Sequence, residues 1–534
     1  MTAYKLKLTW LVWIATIVRC LVALLVELGN DEVYYYTYAV QPDWNHFDHP
    51  PMVGSVIRFF TLQLYASSTF TMRLGAIICA MISTGLIFHI GRIIRNERTG
   101  FIAAILYTAS IYTSIISGLF ILPDSPATVF WLAAIYCMLK AIGVGEYGPS
   151  KRSSALLWVG LWIGLATLSK VHGVFLWLGF GAYVLIYQRS MFHKLNLYVA
   201  IVISLLLISP ILYWNIQNDF ITWRFHGDRV APNQGIQLKS FLTAVVGQFL
   251  YANPLVAIFC VGGLAAYYRH ALASLQPVGK LLIWVGLPII IVTTVVSLFR
   301  PVLPHWSGLG LIPLMLLAAT GADLHLGSGR PWLFYQKLLN GLLQCILIII
   351  FLGVLLILYY PGTLGSQDEK TRGKGDFTLD MYGWRELPGI FSDVRAQDTV
   401  NGAMPANAAL LVHKWFPGGH LYFYLARPLN MQTVGHGTLK DLHKFAWLNQ
   451  HEGYLEQGQD AYFVVPSNYY IDPFIVYGED FESIELAAQV PQQRSGQTAR
   501  YWYIYRLKSA KSQLGYVVGP GRTLNVLPGV TSDL

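Results

Sequence analysis

Asp31 and Glu32 are adjacent carboxylates in a stretch, residues 29–52, that holds two further acids, Asp43 and Asp48, and no lysine or arginine. Paired acids of this kind do proton-transfer or cation-binding chemistry, one accepting a proton or a divalent ion while the other orients it. They are also ordinary caps for the first turn of a helix, and the pair alone does not choose between the roles. The same stretch ends in Phe47-Asp48-His49-Pro50-Pro51, where the prolines equally suit a plain turn. A further acid, Asp124, stands between Pro123 and Ser125-Pro126, and Lys170 with His172 interrupts a long apolar run. Arg224, His226, Asp228 and Arg229 follow Trp223, while Arg300 precedes His305-Trp306. These cations suit a phosphate. Less specific roles compete: Lys170 can snorkel to headgroups, the 224–229 segment can lie on a lipid surface, and His305-Trp306 can belong to an interfacial aromatic belt. Arg19 and Glu27, eight residues apart, can pair on one helix face, with Glu27 a secondary site candidate beside Asp31.

The elements that must hold these residues are set by composition. Of 534 residues, 54% are hydrophobic and 12% charged, half the charge of an ordinary soluble chain (about 25%). Runs approaching the ~20 apolar residues that cross a bilayer lie near 9–28, 72–90, 101–119, 125–142, 155–168, 172–188, 197–214, 241–267, 281–298, 304–321 and 338–360. Placing the N-terminus in the cytoplasm puts Lys5 and Lys7, then Arg92, Arg95 and Arg98, then Lys140, Lys151 and Arg152 on the inner side. Arg189 and Lys194, Arg269 and Lys280, and Arg330 and Lys337 follow them there, as the positive-inside rule expects. The net charge of +9 is thus spread between apolar runs, which argues against a nucleic-acid binder. All five cysteines lie in those runs, with no CxxC pair.

Eleven spans leave the chain after Tyr360 on the outer face. Residues 362–380 read as a linker or loop. Beyond them Ala408–His413, Ala461–Val465 and Tyr501–Arg506 read as strands, with helices near 384–400 and 438–450. The expected architecture is a membrane domain, 1–361, with an active-site loop at 29–52, and a soluble α/β domain, 362–534, outside the cell membrane. His413, His420, His436 and His443 show no metal-ligand spacing.

Asp31-Glu32 with Tyr34-Tyr35, an aromatic spacer and Phe47-Asp48-His49-Pro50-Pro51 resembles the first outer loop of the dolichyl-phosphate-mannose–protein mannosyltransferase superfamily, most of all the bacterial glycosyltransferase family 39 branch related to the lipid A aminoarabinose transferases. Leu122-Pro123-Asp124-Ser125-Pro126, Leu168-Ser169-Lys170 and Trp214-Asn215 followed by Trp223–Arg229 are similar to further family positions. The resemblance covers roughly residues 1–320. It implies a GT-C fold, a multi-span α-helical bundle whose outer loops hold the active site. Asp31 would be the acid–base residue with Glu32 beside it, Asp124 a second site acid, and Lys170 and His49 would lie near a donor phosphate. One departure matters: the aminoarabinose transferases have lysine where this chain has His49, and a neutral histidine holds phosphate less firmly.

A transferase on the outer face has no cytosolic nucleotide sugar to draw on, so its donor must be delivered through the bilayer, a need that the polyprenyl-phosphate sugar implied by the resemblance meets. The expected reaction is displacement at the anomeric carbon with inversion, onto a lipid, glycan or protein acceptor. Asp31 takes the acceptor proton, and Lys170, Arg229, Arg300 and His49 meet the leaving phosphate. His172 and His305 belong to the same substrate-binding set, and Tyr34–Tyr36 or Trp306 offer a stacking surface for the sugar. A divalent cation at Asp31 or Asp124 stays open. The rival is a lipid-linked sugar transporter or flippase, whose ionisable groups would sit at mid-membrane on broken helices of two related halves.

Overall fold

The computed structural model describes residues 2–145, 149–230, 235–269, 276–327 and 332–518. Fifteen helices lead: α1 (Ala3–Leu25), α2 (Asn30–Val40), α3 (Met52–Phe60), α4 (Thr69–Ile94), α5 (Glu97–Ala109), α6 (Asp124–Ala141), α7 (Pro149–Ser169), α8 (Val174–Tyr187), α9 (Leu195–Gln217), α10 (Ile221–Val230), α11 (Leu238–Tyr251), α12 (Pro254–Tyr268), α13 (Gln276–Val296), α14 (Gly308–Gly327) and α15 (Trp332–Tyr359). Each apolar run is largely helical. Among the described residues, however, only six helices are long and apolar enough to cross a membrane, seven if α11 and α12 form one span. Others, such as the 13-residue α5 and 14-residue α8, fall short of ~20 residues. The 241–267 run, which hydropathy reads as one span, bends by 94° between α11 and α12. Asn253 makes the corner with φ +67°, its side chain accepting from the Leu255 amide at 3.2 Å, and Pro254 starts the next helix.

The chain divides into two compact units, one of Met1–Ala23, Asp48–Ile216 and Phe220–Ile350, the other of Leu24–Phe47, Gln217–Asp219 and Phe351–Leu534. In the first, small residues let helices meet closely: a Cβ on Gly91 of α4 would come within 2.7 Å of Gly100 Cα on α5. Asp323 of α14 accepts from Arg95 Nε at 2.5 Å and Asn96 Nδ2 at 2.8 Å, and also pairs with Arg98. Arg95 and Arg98 therefore tie α14 to the junction of α4 and α5.

The second unit adds α16 (Leu387–Val400), α17 (Trp415–His420), α18 (Leu439–Leu442) and α19 (Phe445–Glu452) around a sheet of β1 (Ala409–Val412), β2 (Thr433–Gly435), β3 (Ala461–Pro466), β4 (Phe481–Arg494) and β5 (Gln497–Ala510). Strand order is β2-β1-β3-β5-β4, with β1 parallel to β2 and β3 and the β5 pairings antiparallel. The strands expected around 408–413, 461–465 and 501–506 are present; β2 and β4 had been missed. A two-residue turn, Ser495-Gly496, joins β4 to β5 with both residues at positive φ, the geometry that matches strand twist. Arg494, fully buried, donates from Nη2 to Asp376 Oδ2 at 2.9 Å, from Nη1 to Thr378 Oγ1 at 2.7 Å and Ile357 O at 3.2 Å, and from Nε to Gly362 O at 2.9 Å. Ser495 Oγ donates to Tyr359 O at 2.9 Å. The hairpin thus caps the last carbonyls of α15. It also fixes residues 362–380, whose polar composition reads as a linker but whose Thr363, Asp376 and Thr378 are buried.

Candidate active site

Asp124 opens α6 and Lys170 closes α7, both 2% exposed, and they meet inside the first unit. Lys170 Nζ donates to Asp124 Oδ1 at 2.8 Å and Oδ2 at 2.9 Å, while Tyr112 OH donates to Oδ1 at 2.6 Å. Tyr112 begins a π-helical turn, Tyr112–Ile116, that prolongs the α5 run, a local form often found at functional sites. Its ring lies against Gly308, where a Cβ would come within 2.3 Å of ring carbons. The start of α14 must be bare for the tyrosine to reach Asp124.

Three half-buried histidines surround this pair. His49 lies within electrostatic reach of Asp48, His226, Lys170 and Asp124; His172 of Lys170, Asp124, His49 and His305; and His305 of Lys170 and Asp124. Burial pushes His49 down to about 4, with Asp48 and Asp124 pulling it up and His226 and Lys170 pulling it down. It is a neutral hydrogen-bonding group near pH 7. His226 Nε2 is hydrogen-bonded to the Asp48 carbonyl at 2.8 Å, and its ring centroid is 6.3 Å from that of His49. His226 of the 224–229 segment therefore sits against the site. Asp48, His49, Asp124, Lys170, His172 and His305 converge in this unit, and half-buried Arg300 lies on the connection that carries His305. Arg229 lies in α10, but its side chain falls outside the described residues, as does that of Asp228.

Asp31 and Glu32 belong to the second unit. Asp31, the second residue of α2, is exposed. Glu32 is 2% exposed, and its Oε2 accepts from the Gly29 amide at 2.9 Å, so the capping role offered by the sequence describes this residue. The segment leading into α2 is held at every step. Glu27 accepts from the amides of Trp384 at 2.7 Å and Arg385 at 3.1 Å, and the Leu28 amide donates to Tyr424 OH at 2.8 Å. His420 Nε2 bridges Leu28 O at 3.1 Å and Asp380 O at 2.8 Å. Asn30 Nδ2 donates to Asp380 Oδ2 at 3.0 Å, and Tyr469 OH to Oδ1 at 2.8 Å. Glu27 consequently does not pair with Arg19, whose Nε instead donates to Ser114 O at 3.2 Å. Tyr34, Tyr35 and Tyr36 are no sugar platform: all three are buried, Tyr34 with its centroid 5.1 Å from Trp415 and Tyr36 4.9 Å from Phe423.

A metal does not fit at Asp124, since both oxygens are occupied by Lys170 and Tyr112. Among the described residues, no group of three or more His, Cys, Asp or Glu side chains is arranged to hold a metal. The residues that sequence reasoning missed are Tyr112 and Asp380. Tyr112 carried a faint signal, a tyrosine deep in an apolar run; Asp380 carried none, because its partner Asn30 is 350 residues away.

Residues 48–214 match the family profile described as dolichyl-phosphate-mannose-protein mannosyltransferase. The chain is 24% identical over 316 residues to the lipid A galacturonosyltransferase RgtD of Rhizobium johnstonii, across 58% of this chain and 62% of that relative's length. Two solved structures of ArnT from Cupriavidus metallidurans, one in the apo state and one bound to undecaprenyl phosphate, superpose with TM-scores of 0.60 and 0.61. Each is 14% identical and covers 95% of this chain and 98% of ArnT.

Proposed function

We propose that this chain, a GT-C-fold membrane protein related to the dolichyl-phosphate-mannose–protein mannosyltransferases and to lipid A glycosyltransferases, is an inverting glycosyltransferase. It moves a sugar from a polyprenyl-phosphate donor to an envelope acceptor on the outer face of the cell membrane. The observation that carries this reading is the buried Asp124–Lys170–Tyr112 cluster with its three histidines. The family-matched segment, 48–214, contains five of the expected site residues: Asp48, His49, Asp124, Lys170 and His172.

In the proposed reaction the exposed Asp31 takes the proton from an acceptor hydroxyl, whose oxygen attacks the anomeric carbon. The bond from that carbon to the phosphate oxygen breaks, and polyprenyl phosphate leaves with the electron pair. Asp124 is not the proton carrier, because two donors already fill it; it holds Lys170 in place. One ammonium proton of Lys170 remains to meet a phosphate oxygen, Arg229 and Arg300 are the further cations assigned to that phosphate, and neutral His49 adds a hydrogen bond.

Purified protein in nanodiscs, given radiolabelled polyprenyl-phosphate sugar and envelope lipid extract, is expected to transfer label to the acceptor. Asp31→Asn is expected to lower the rate by about 10²–10⁴-fold, the usual size of a general-base contribution. Unchanged turnover of folded Asp31→Asn protein would remove Asp31 from the mechanism. In vesicles holding only this protein, movement of the labelled donor across the bilayer without transfer would replace the enzyme with a flippase.

A further inference from the structure

Arg19 is an intramembrane cation with no charge partner among the described residues. It sits six residues before the end of α1 at Leu25, about 9 Å along the axis, and is 3% exposed. Its guanidinium donates to Ser114 O at 3.2 Å and Ser114 Oγ at 3.3 Å. Both acceptors are neutral, and among the described residues Nη1 has no hydrogen-bond partner and no carboxylate lies within ion-pair distance of the group. An ionised side chain in hydrocarbon is costly unless its charge is met.

Beside Arg19 runs a groove of about 400 Å³ between α1, α5 and α15, all within the first unit. Its walls are mostly apolar, including Ile14, Ile105, Leu343 and Leu347, with Gln336 and Asn340 on α15 and Lys7 at its far end. From Lys7 to Arg19 is twelve residues of helix, about 18 Å, the length of a lipid chain rather than of a peptide side chain. The helices on its two sides are those with the least packing: only 11% of the spanning window of α1, and 11% of that of α15, is buried. A groove opening sideways between such helices is open to acyl chains.

We propose that this groove binds one anionic phospholipid, with its phosphate on Arg19 and one acyl chain laid along α1 toward Lys7. Charge complementarity selects the occupant. A zwitterionic lipid fills the apolar walls equally well but leaves the positive charge of Arg19 unbalanced, whereas a net-negative head neutralises it and uses the open Nη1 donors.

The test uses full-length protein in detergent, exchanged against phosphatidylglycerol or phosphatidylcholine, washed and weighed by native mass spectrometry. Wild-type protein is expected to retain one phosphatidylglycerol about ten-fold more strongly than phosphatidylcholine, the factor that follows from one charge-assisted hydrogen bond. Arg19→Met is expected to erase the preference. Leu343→Trp, which fills the groove and leaves Arg19 in place, is expected to abolish retention of both lipids while the protein stays folded. Equal retention of the two lipids by wild type, or full retention by folded Leu343→Trp, overturns the proposal. If Arg19→Met does not fold, Leu343→Trp and the wild-type preference decide it.

Discussion

The side-chain amide of Asn30 donates to the carboxylate of Asp380 at 3.0 Å, across 350 residues of sequence, and the next residue along the chain is Asp31. The proposed base is exposed, but its neighbour on the N-terminal side is anchored within the second unit. Substituting Asp380 to Ala is expected to leave α2 in place through Glu27 and Leu28 yet loosen its first turn. Transfer should fall about ten-fold through kcat with little change in KM, the pattern of a misplaced group. Steady-state kinetics beside Asp31→Asn check this; an unchanged kcat in Asp380→Ala, with Asp31→Asn inactive, would confine Asp380 to a structural role.

The same residue makes stability depend on pH. Burial pushes the Asp380 carboxyl up to about 6, against the hydrogen bonds from Tyr469 and Asn30 and the charge of Arg500, while Asp376 adds to the rise. The folded protein therefore keeps this proton in a range where the unfolded chain has released it. The contribution is complete below about pH 4 and is lost as pH rises through about 6, on the order of 2–3 kcal/mol. Melting curves from pH 4 to 7 should show a decline in wild type that is smaller in Asp380→Asn.

Lys170→Met is expected to be strongly destabilising, about 3–5 kcal/mol, because it strands the buried Asp124 carboxylate. Asp124→Asn combined with Lys170→Met should recover much of that stability without recovering transfer. Thermal melts and transfer assays on the single and double variants separate the two effects. Recovery of transfer in the double variant would show that the pair serves packing alone.

His49 is neutral until about pH 4 because it is buried. Its protonation should therefore leave no limb in a rate profile between pH 5 and 8, and His49→Gln should keep transfer within about ten-fold of wild type, as expected when one neutral hydrogen bond is altered. A wild-type rate that tracks a titration near 6.5 and flattens in His49→Gln would contradict this.

The convergence of Asp124, Lys170, His172 and His305 was legible in the sequence, because each interrupts or ends an apolar run and such interruptions are costly unless used. Their pairing was not: hydropathy places a lysine at a helix end but does not say which carboxylate it meets. Asp31 and Glu32 are equivalent as letters, and only the amide of Gly29 separates a cap from an exposed acid. The bend at Asn253 was hidden because α11 and α12 are both apolar. Residues 362–380 looked like a tether because the partner that buries Asp376, Arg494, lies more than a hundred residues downstream.

Arg494 leads to a prediction about the second unit alone. Replacing it with Met leaves Asp376 buried without its cation and uncaps Ile357, which should cost about 3–5 kcal/mol. Limited proteolysis should then cut within 362–380, a stretch expected to resist cleavage in wild type. Equal resistance in both proteins would show that Thr363 and Thr378 suffice to hold it.

The hydrogen bond from the Trp384 amide to Glu27 joins residues 357 positions apart, and that separation has a cost in time. At roughly 5–20 residues per second, the ribosome needs about 20–70 s after making Glu27 to make its partner. During that interval α2 carries its buried tyrosines without the rings of Trp415 and Phe423 that will cover them. The first turn of α2, and with it the proposed catalytic acid, is therefore fixed only by a late closure between residues 27–30 and residues 380–385.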